Sequence, residues 1–366
     1  MVPIIAATKK THFYTLDGLR GIAALAIAVY HNGTRLPWIG SLDHGWLAVD
    51  FFFVLSGFVI DHSYQDRLSR GMGFCEFLRI RAIRLCPMTI IGASLGLLLY
   101  VLVYHSLGAW LLGRLTIGWI LTCLSLPATL LPDSMPPWIR NTPFYMNRPS
   151  WSLFFEWIAS VAFAVALSKL RLRGLVAGIV VAGCLSILMA YLGKSDSGWS
   201  TTNISWGLVR VAYPFLIGIL ISRTQGYIQV PVISFPLASL LLLGVLFVTH
   251  LSNAWESVYD AVVVMLIFPT IVLTAKASIQ KPAMIAVIQW LGFISFPLYA
   301  THVSILSYYH TYWKHQNFLT DMAAVGAAVL MAALLSAYVE IPTRQWLTTM
   351  FTSKKNRPPL APLRSA

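Results

Sequence analysis

The sequence has little charge and little cysteine, and each shortage excludes a class of protein. Only 11% of its 366 residues are Asp, Glu, Lys or Arg, whereas 57% are hydrophobic. A soluble globular domain has about 25% charged residues, so this composition excludes an ordinary soluble domain. The four cysteines lack the spacing of a metal or redox site, and we expect them to be buried as small apolar residues. No metal site is expected, and the chain shows no repeat of fixed period.

Long apolar runs dominate the chain instead. Stretches of spanning length predict an all-α, polytopic transmembrane bundle of about ten spans. These stretches lie near residues 16–35, 47–65, 87–105, 151–168, 174–192, 206–222, 232–250, 258–274, 284–309 and 322–346. A further apolar stretch at residues 117–131 is short and ends in Pro-rich sequence. It is either an eleventh span or a segment that lies in or re-enters the membrane.

Positive charge favours ten spans over eleven, because Lys and Arg in short loops stay on the cytoplasmic side. A cytoplasmic N-terminus places most of the 26 basic residues on that side, whereas an eleventh crossing moves the cluster at residues 169–173 outward. The net charge of +13 therefore reflects topology, and no nucleic-acid partner is expected. We expect a retained first span, one membrane domain at residues 12–348, and a short polar cytoplasmic tail at residues 349–366.

Arg20 and His31 are the most informative pair in the chain. They lie eleven residues apart in a hydrophobic segment. Eleven helical steps of about 100° bring the two side chains within roughly 20° of one face and about 16 Å apart along the axis. A charge inside a span costs about 2.5 to 3.5 kcal/mol and usually faces a cavity or a partner. The pair therefore indicates a functional site, or alternatively a snorkelling arginine and a hydrogen-bonded core histidine.

The residues around this pair, LDGLRGIAA at 16–24 followed by His31, resemble the first span of the acyltransferase-3 family of integral-membrane O-acyltransferases. Four further segments resemble that family in the same order, so the resemblance covers about residues 12–348. These segments are residues 49–58, 77–87, 148–157 and 291–302. The resemblance implies a helical membrane enzyme, which we expect in the bacterial inner membrane with both termini cytoplasmic.

Two acidic residues of these segments are candidate catalytic partners. Asp50, near the outer end of the second segment, can hold a partner such as His31, although the segment also reads as a simple packing helix. Glu156 in the fourth segment lies about 9 Å below the outer surface, at a depth similar to that of His31. A carboxylate there must meet a cation, accept hydrogen bonds or be protonated, and Arg148, Arg210 and His31 are the candidate partners.

The third segment has three arginines, Arg79, Arg81 and Arg84, and resembles a short amphipathic stretch on the inner side of the family's bundle. Arginine forks bind phosphate oxygens, so these residues can hold the nucleotide end of coenzyme A. Attraction to anionic membrane lipids explains the cluster equally well.

The fifth segment places Tyr299 and His302 one turn apart, where they are expected to line the same side of a helix. Pro297 is expected to kink this helix and to free backbone groups that a cavity can use. Further on, Glu340 and Arg344 resemble the closing pattern of the family, and we interpret them as architectural.

The resemblance implies transfer of an acyl group from cytoplasmic acyl-coenzyme A, with acetyl as the default, to a hydroxyl of a carbohydrate or lipid-linked glycan. We expect the donor to thread past Arg20 to His31, which acts as general base. A covalent relay through a serine stays open. The candidates for substrate binding, oxyanion stabilisation or relay are Arg148, Ser152, Ser295, Tyr299 and His302.

Two alternatives remain at this point. The chain lacks the hydrolase-like domain appended in part of the family, so it either completes the transfer or hands the acyl group to a separate extracytoplasmic partner. A transporter of a small or lipid-linked substrate is the rival class, because ten helices with buried charges and a kinked late span also suit transport.

Overall fold

The computed structural model describes residues 12–33, 43–103, 109–128, 141–225, 227–248, 251, 253–275, 282–313 and 317–351. Within these ranges the regular secondary structure is entirely helical. In chain order the helices are α1 (Tyr14–His31), α2 (Ala48–Ser69), α3 (Phe74–Val103), α4 (Ala109–Cys123), α5 (Ser150–Val165), α6 (Leu172–Tyr191), α7 (Trp206–Arg223), α8 (Phe235–Leu246), α9 (Asn253–Val262), α10 (Phe268–Ala275), α11 (Pro282–Tyr312), α12 (Phe318–Leu335) and α13 (Ile341–Phe351).

Seven helical segments in the described ranges are long and apolar enough to cross a membrane. They are Gly45–Ser69, Phe74–Val103, Leu172–Tyr191, Trp206–Arg223, Trp255–Ala275, Met284–Tyr312 and Phe318–Phe351. Three shorter apolar helices accompany them, at Leu111–Cys123, Ser150–Val165 and Phe235–Leu246. The chain is therefore an integral membrane protein built as a helical bundle, whereas the count of ten spans stays a prediction.

Several helices are longer than the apolar runs suggested. The arginine-rich segment is not separate from the span that follows it, because both belong to the single 30-residue helix α3, which passes through Pro87. Short π-helical turns at Val263–Ile267 and Ser336–Glu340 likewise join α9 to α10 and α12 to α13. The predicted tail lies outside the described residues from 352 onward, and so do residues 129–131 of the short apolar stretch.

The expectation of buried cysteines is wrong, because none of the four is fully buried. Cys86 and Cys123 are partly buried, whereas Cys75 and Cys184 are exposed on the helices that carry them. Cys184 lies on α6, whose apolar outer face suits a lipid environment, so an exposed small apolar side chain is stable there.

Helix α11 runs past Pro297 because another helix satisfies the backbone group that the proline leaves unpaired. Proline has no N–H, so the carbonyl of Phe293, four residues earlier, loses its helical donor. The hydroxyl of Ser336 donates a hydrogen bond to this carbonyl across 2.9 Å. The freed group thus pairs with the π-helical turn that follows α12 and not with a cavity, which corrects our expectation.

The ends of α2, α5 and α7 that were predicted to be cytoplasmic meet at one end of the bundle. Arg223 of α7 bonds Asp61 of α2 at 2.9 Å and also donates to the carbonyl of Leu167 after α5. The amide of Gln65 donates to the carbonyl of Ser168 at 2.7 Å. The structure thus brings together three ends that the charge pattern assigned to one side.

Close packing of α2 against α7 depends on two glycines. A Cβ atom added at Gly57 would lie 2.0 Å from the carbonyl oxygen of Phe215, and one added at Gly218 would lie 2.2 Å from that of Val54. Such small residues let two backbones approach closely inside a membrane, where lipid tails compete with every other apolar contact.

We predict that Gly57→Ala lowers the free energy of unfolding by about 1 to 3 kcal/mol, because the methyl group forces the two backbones apart. Gly326→Ala is the matched control, since no atom lies within 4 Å of a Cβ placed there. That variant should unfold at the wild-type temperature or slightly above it. Thermal unfolding in detergent compares the two, and equal stability of both variants would contradict the packing argument.

Candidate functional site

Three clefts lie along α1 and α11. The first, the Arg20 cleft, has a volume of about 730 Å³ and lies between α1, α2, α3, α5 and α11. Its polar lining residues are Arg20, Ser56, Arg81, Arg84, Ser152, Glu156, Ser295 and Tyr299. The second, the aromatic cleft, is walled by Tyr30, Trp46, Trp151 and Trp199. The third, the α3–α11 cleft, lies between those two helices. His31 lines both the aromatic cleft and the α3–α11 cleft.

A hydrogen bond between two histidines fixes His31 at this junction. Nδ1 of His31 lies 2.8 Å from Nε2 of His302, and the two rings stack with their centroids 5.0 Å apart. His302 is fully buried on α11, whereas His31 ends α1 with its ring exposed to the clefts. Sequence reasoning selected both residues but did not connect them, because they are 271 positions apart.

The surrounding carbonyl groups determine which nitrogen of each ring carries the proton. Nδ1 of His302 lies 3.0 Å from the carbonyl oxygen of Leu298 and 2.9 Å from that of Tyr299, so this nitrogen must donate. In a neutral ring Nε2 of His302 is then an acceptor, and Nδ1–H of His31 donates to it. This assignment leaves Nε2 of His31 unprotonated and able to accept a proton.

Arg20 contacts the same helix as His31, as their shared face on α1 predicts. Its Nε donates to the hydroxyl of Ser295 at 2.9 Å, and its guanidinium also lies 3.3 Å from Asp17. The side chain keeps 28% of its surface exposed to the Arg20 cleft. Ser295 donates in turn to the carbonyl of Gly292 at 2.8 Å, so its hydroxyl orients the arginine.

The three arginines of α3 do not form one phosphate site, contrary to the prediction. Arg79 lies on the surface, where it donates to the carbonyl of Phe351 and stacks over that ring. Arg81 is 2% exposed and forms an ion pair with Glu156. Arg84 alone lines the Arg20 cleft without such a pair. Residues two apart point to nearly opposite sides of a helix, which separates Arg79 from Arg81.

Glu156 contacts neither His31, Arg148 nor Arg210, which corrects the predicted set of partners. Its carboxylate accepts hydrogen bonds from Arg81 and, at 3.1 Å, from Ser56. Helix α5 runs antiparallel to α3, so Glu156 faces the first turns of that helix. The carboxylate belongs to the Arg20 cleft, and it cannot orient the ring of His31 from there.

Asp50 does not contact His31 either, because Arg210 of α7 occupies it. Two guanidinium nitrogens of Arg210 donate to the Asp50 carboxylate at 2.9 and 3.0 Å, and both side chains are at most 2% exposed. The remaining donors reach Asp196 at 3.2 Å and two backbone carbonyls, those of Trp46 and Ser197. The buried pair fixes Arg210 in the wall of the aromatic cleft. Asp50 is held by this pair and is not available as a catalytic group.

Ser152 and Tyr299 lie at the boundary between the Arg20 cleft and the aromatic cleft. Their hydroxyls are 2.5 Å apart, and Ser152 also donates to the carbonyl of Pro149 at 3.0 Å. Tyr299 therefore donates to Ser152. The ring of Phe52 packs edge-on against Tyr299 with centroids 5.2 Å apart. No base touches Ser152 among the described residues, so the arrangement gives no support to a serine relay.

Arg148 lines the same two clefts as His31 and has no carboxylate partner in the described part of the chain. It precedes α5, lines both the aromatic cleft and the α3–α11 cleft, and is exposed to them. A free guanidinium at this junction can stabilise negative charge that develops beside His31.

The chain is similar in sequence to a family of known proteins. A family model described as "Acyltransferase domain", that of the acyltransferase-3 family, matches residues 13–340. A protein of Rhizobium radiobacter called "Protein 2 in picA locus" is 30% identical over 174 residues, which cover 44% of this chain and 85% of that protein. No solved structure matches the chain significantly.

We predict that Arg210→Met costs about 3 to 5 kcal/mol of stability, since it leaves the Asp50 carboxylate buried without a cation. The double variant Arg210→Met/Asp50→Asn should recover about 1 to 3 kcal/mol of that loss. The exposed pair Arg67 and Glu76 provides the control cycle, whose coupling should stay below about 1 kcal/mol. Unfolding in detergent is measured for each single variant and for the double variant. If the stability losses of Arg210→Met and Asp50→Asn simply added in the double variant, the assigned ion pair would be contradicted.

Proposed function

Because the chain belongs to the acyltransferase-3 family, we propose that it moves an acyl group from acyl-coenzyme A to a carbohydrate hydroxyl, with His31 as general base. One observation carries the proposal. His31 stands where the aromatic cleft and the α3–α11 cleft meet, and the bond to His302 leaves its Nε2 free to accept a proton. The family match favours this activity over transport.

The donor enters through the Arg20 cleft in this proposal. Arg20 and Arg84 are the cations there that keep access to a phosphate, because Arg81 is held by Glu156. The distance of about 16 Å along α1 from Arg20 to His31 suits a pantetheine arm whose thioester ends beside the histidine. The pair of Ser152 and Tyr299 marks the point that this arm must pass.

The acceptor binds in the aromatic cleft. Tryptophan faces are apolar surfaces edged by polar groups, which suits the alternating faces and hydroxyls of a sugar ring. Asp196 adds a carboxylate that is 42% exposed, and Arg148 adds an unpaired guanidinium. Glycans linked to a membrane lipid and soluble glycans both reach a cleft of this kind. This proposal requires no separate acyl-accepting partner.

The reaction is then a direct transfer. The acceptor oxygen attacks the thioester carbonyl carbon while Nε2 of His31 takes the hydroxyl proton. Arg148 stabilises the resulting oxyanion. The C–S bond breaks as the carbonyl reforms, and His31 returns its proton to the departing thiolate. The products are an O-acyl ester and free coenzyme A, so protons and electrons balance without a metal or a redox partner.

The bundle crosses the membrane ten times in this proposal, with both termini cytoplasmic. Antiparallel α3 and α5 meet at Arg81 and Glu156, so α3 ends and α5 begins on the outer side. Helix α4 packs along α3, and the chain after it pairs Ala128 with Pro143 at 2.6 Å. We infer that α4 enters the membrane and returns.

Labelling of single cysteines tests this topology. A cysteine at Arg171 should react only with a cytoplasmic reagent, and one at Lys194 only with an external reagent, in a background free of other cysteines. Reaction of both positions from one side would contradict ten crossings.

We predict that His31→Ala lowers acyl transfer at least about 100-fold, which is the usual contribution of a general base. The assay follows label from acyl-coenzyme A into the envelope glycan fraction of membranes at equal protein levels. His12→Ala, an exposed histidine at the start of α1, is the matched control and should retain full activity. Wild-type activity in His31→Ala would remove His31 from the mechanism.

His302 is a positioning residue in this mechanism, and the same assay tests its role. His302→Ala removes the acceptor for Nδ1–H of His31 and should lower kcat by about tenfold or more. His302→Gln presents an amide oxygen in a similar place, so it should restore a large part of the activity. If His302→Ala and His302→Gln lowered kcat equally, His302 would contribute only packing and would not position His31.

A further inference from the structure

The α3–α11 cleft is larger than the other two and has no role in the proposal so far. Its volume is about 1260 Å³, compared with about 850 Å³ for the aromatic cleft. It begins at His31 and extends along α3 from Gly96 to Val103, which is about 10 Å of helix. An acetyl group would fill only a small part of this space.

The walls of this cleft are more apolar than their residue types suggest. Several hydroxyls there already donate to backbone carbonyls. Thr311 donates to Ser307 at 2.7 Å, and Tyr100 donates to Tyr145 at 3.3 Å. Ser304 donates to the carbonyl of Gly92 at 3.4 Å. Groups bonded in this way do not attract water strongly, so the space beside them suits an alkyl chain.

Aliphatic side chains form much of the remaining wall, together with Arg148 and His310. Leu99 and Val103 contribute from α3, Met146 from the segment before α5, and Val303 and Leu306 from α11. At the outer rim, the hydroxyl of Tyr312 donates to the carbonyl of Leu102 at 3.1 Å and ties the two helices together. The cleft therefore has an apolar body, a limited length, and His31 at its inner end.

The α3–α11 cleft and the aromatic cleft differ in whether a carboxylate lines them. No carboxylate lines it among the described residues, whereas the aromatic cleft contains Asp196. A sugar ring needs acceptors and donors on several sides, whereas the hydroxyls of Thr311, Tyr100 and Ser304 are already bonded here. The aromatic cleft is thus the better place for the acceptor, and the α3–α11 cleft for an apolar group that meets it at His31.

We propose that the α3–α11 cleft holds the acyl chain of the donor, and that the enzyme prefers a medium-length acyl group over acetyl. This inference rests on the proposed function. With the thioester at His31, the chain beyond the carbonyl continues into the cleft along α3. Each methylene that leaves water there raises kcat/KM by about fourfold, until the cleft is filled. The aliphatic residues Leu99 and Val303 then determine chain length.

A donor series tests the preference. Transfer is measured with acetyl-, butyryl-, octanoyl- and lauroyl-coenzyme A for the wild type and for Val303→Phe and Leu99→Phe, which narrow the cleft. The wild type should use the octanoyl donor at least about tenfold better than the acetyl donor. Both variants should lose this preference. Leu98→Phe is the matched control, because this neighbour is 52% exposed, does not line the cleft and should retain the wild-type preference.

Binding of non-hydrolysable thioether analogues of the same donors gives a second measurement that does not need turnover. Affinity should rise with chain length in the wild type and not in Val303→Phe. If affinity rises in this way but no acyl transfer occurs, the assignment of the cleft to the acyl chain is supported and the proposed function is refuted. If transfer depends on His31 but is fastest with the acetyl donor, the assignment of the cleft to the acyl chain is refuted and the proposed function stands. A rise of the acceptor KM alone in Val303→Phe would assign the cleft to the hydrocarbon of a lipid-linked acceptor and overturn the inference.

Discussion

The hydrogen bond between His31 and His302 is the interaction on which the rest of the site depends. It joins the end of α1 to the middle of α11 across 2.8 Å, and the same two helices are held lower down by the bond from Arg20 to Ser295. Gly21 allows this close approach, since an added Cβ would lie 2.5 Å from the carbonyl oxygen of Leu291. Without this contact between the helices, His31 would not stand where the clefts meet, and its free nitrogen would not be defined.

The cost of charge inside the membrane explains how the other ionisable groups are distributed. Arg210 with Asp50 and Arg81 with Glu156 form ion pairs inside the bundle, and Arg223 with Asp61 forms one at its end. These pairs tie α2 and α3 to α5 and α7. The cations that remain open to the clefts are then few, and they lie along the path from the Arg20 cleft to His31.

The sequence predicted the membrane class, the helical bundle and the shared face of Arg20 and His31, because these depend on local hydrophobicity and helix geometry. It did not predict which charges pair. Asp50 and Arg210 are 160 positions apart, and periodicity gives no information on which helices are neighbours. The choice of Arg81 for Glu156 likewise depends on the antiparallel packing of α3 and α5. Long-range contacts, and not residue types, separate these carboxylates from His31.

The most direct test of this account is the structure of the protein bound to a non-hydrolysable acyl-coenzyme A analogue, determined by electron cryo-microscopy in lipid nanodiscs. The account predicts that the nucleotide phosphates contact Arg20 or Arg84 and that the sulfur lies within hydrogen-bonding reach of Nε2 of His31. A nucleotide bound on the opposite face of the bundle, or a sulfur far from His31, would contradict it.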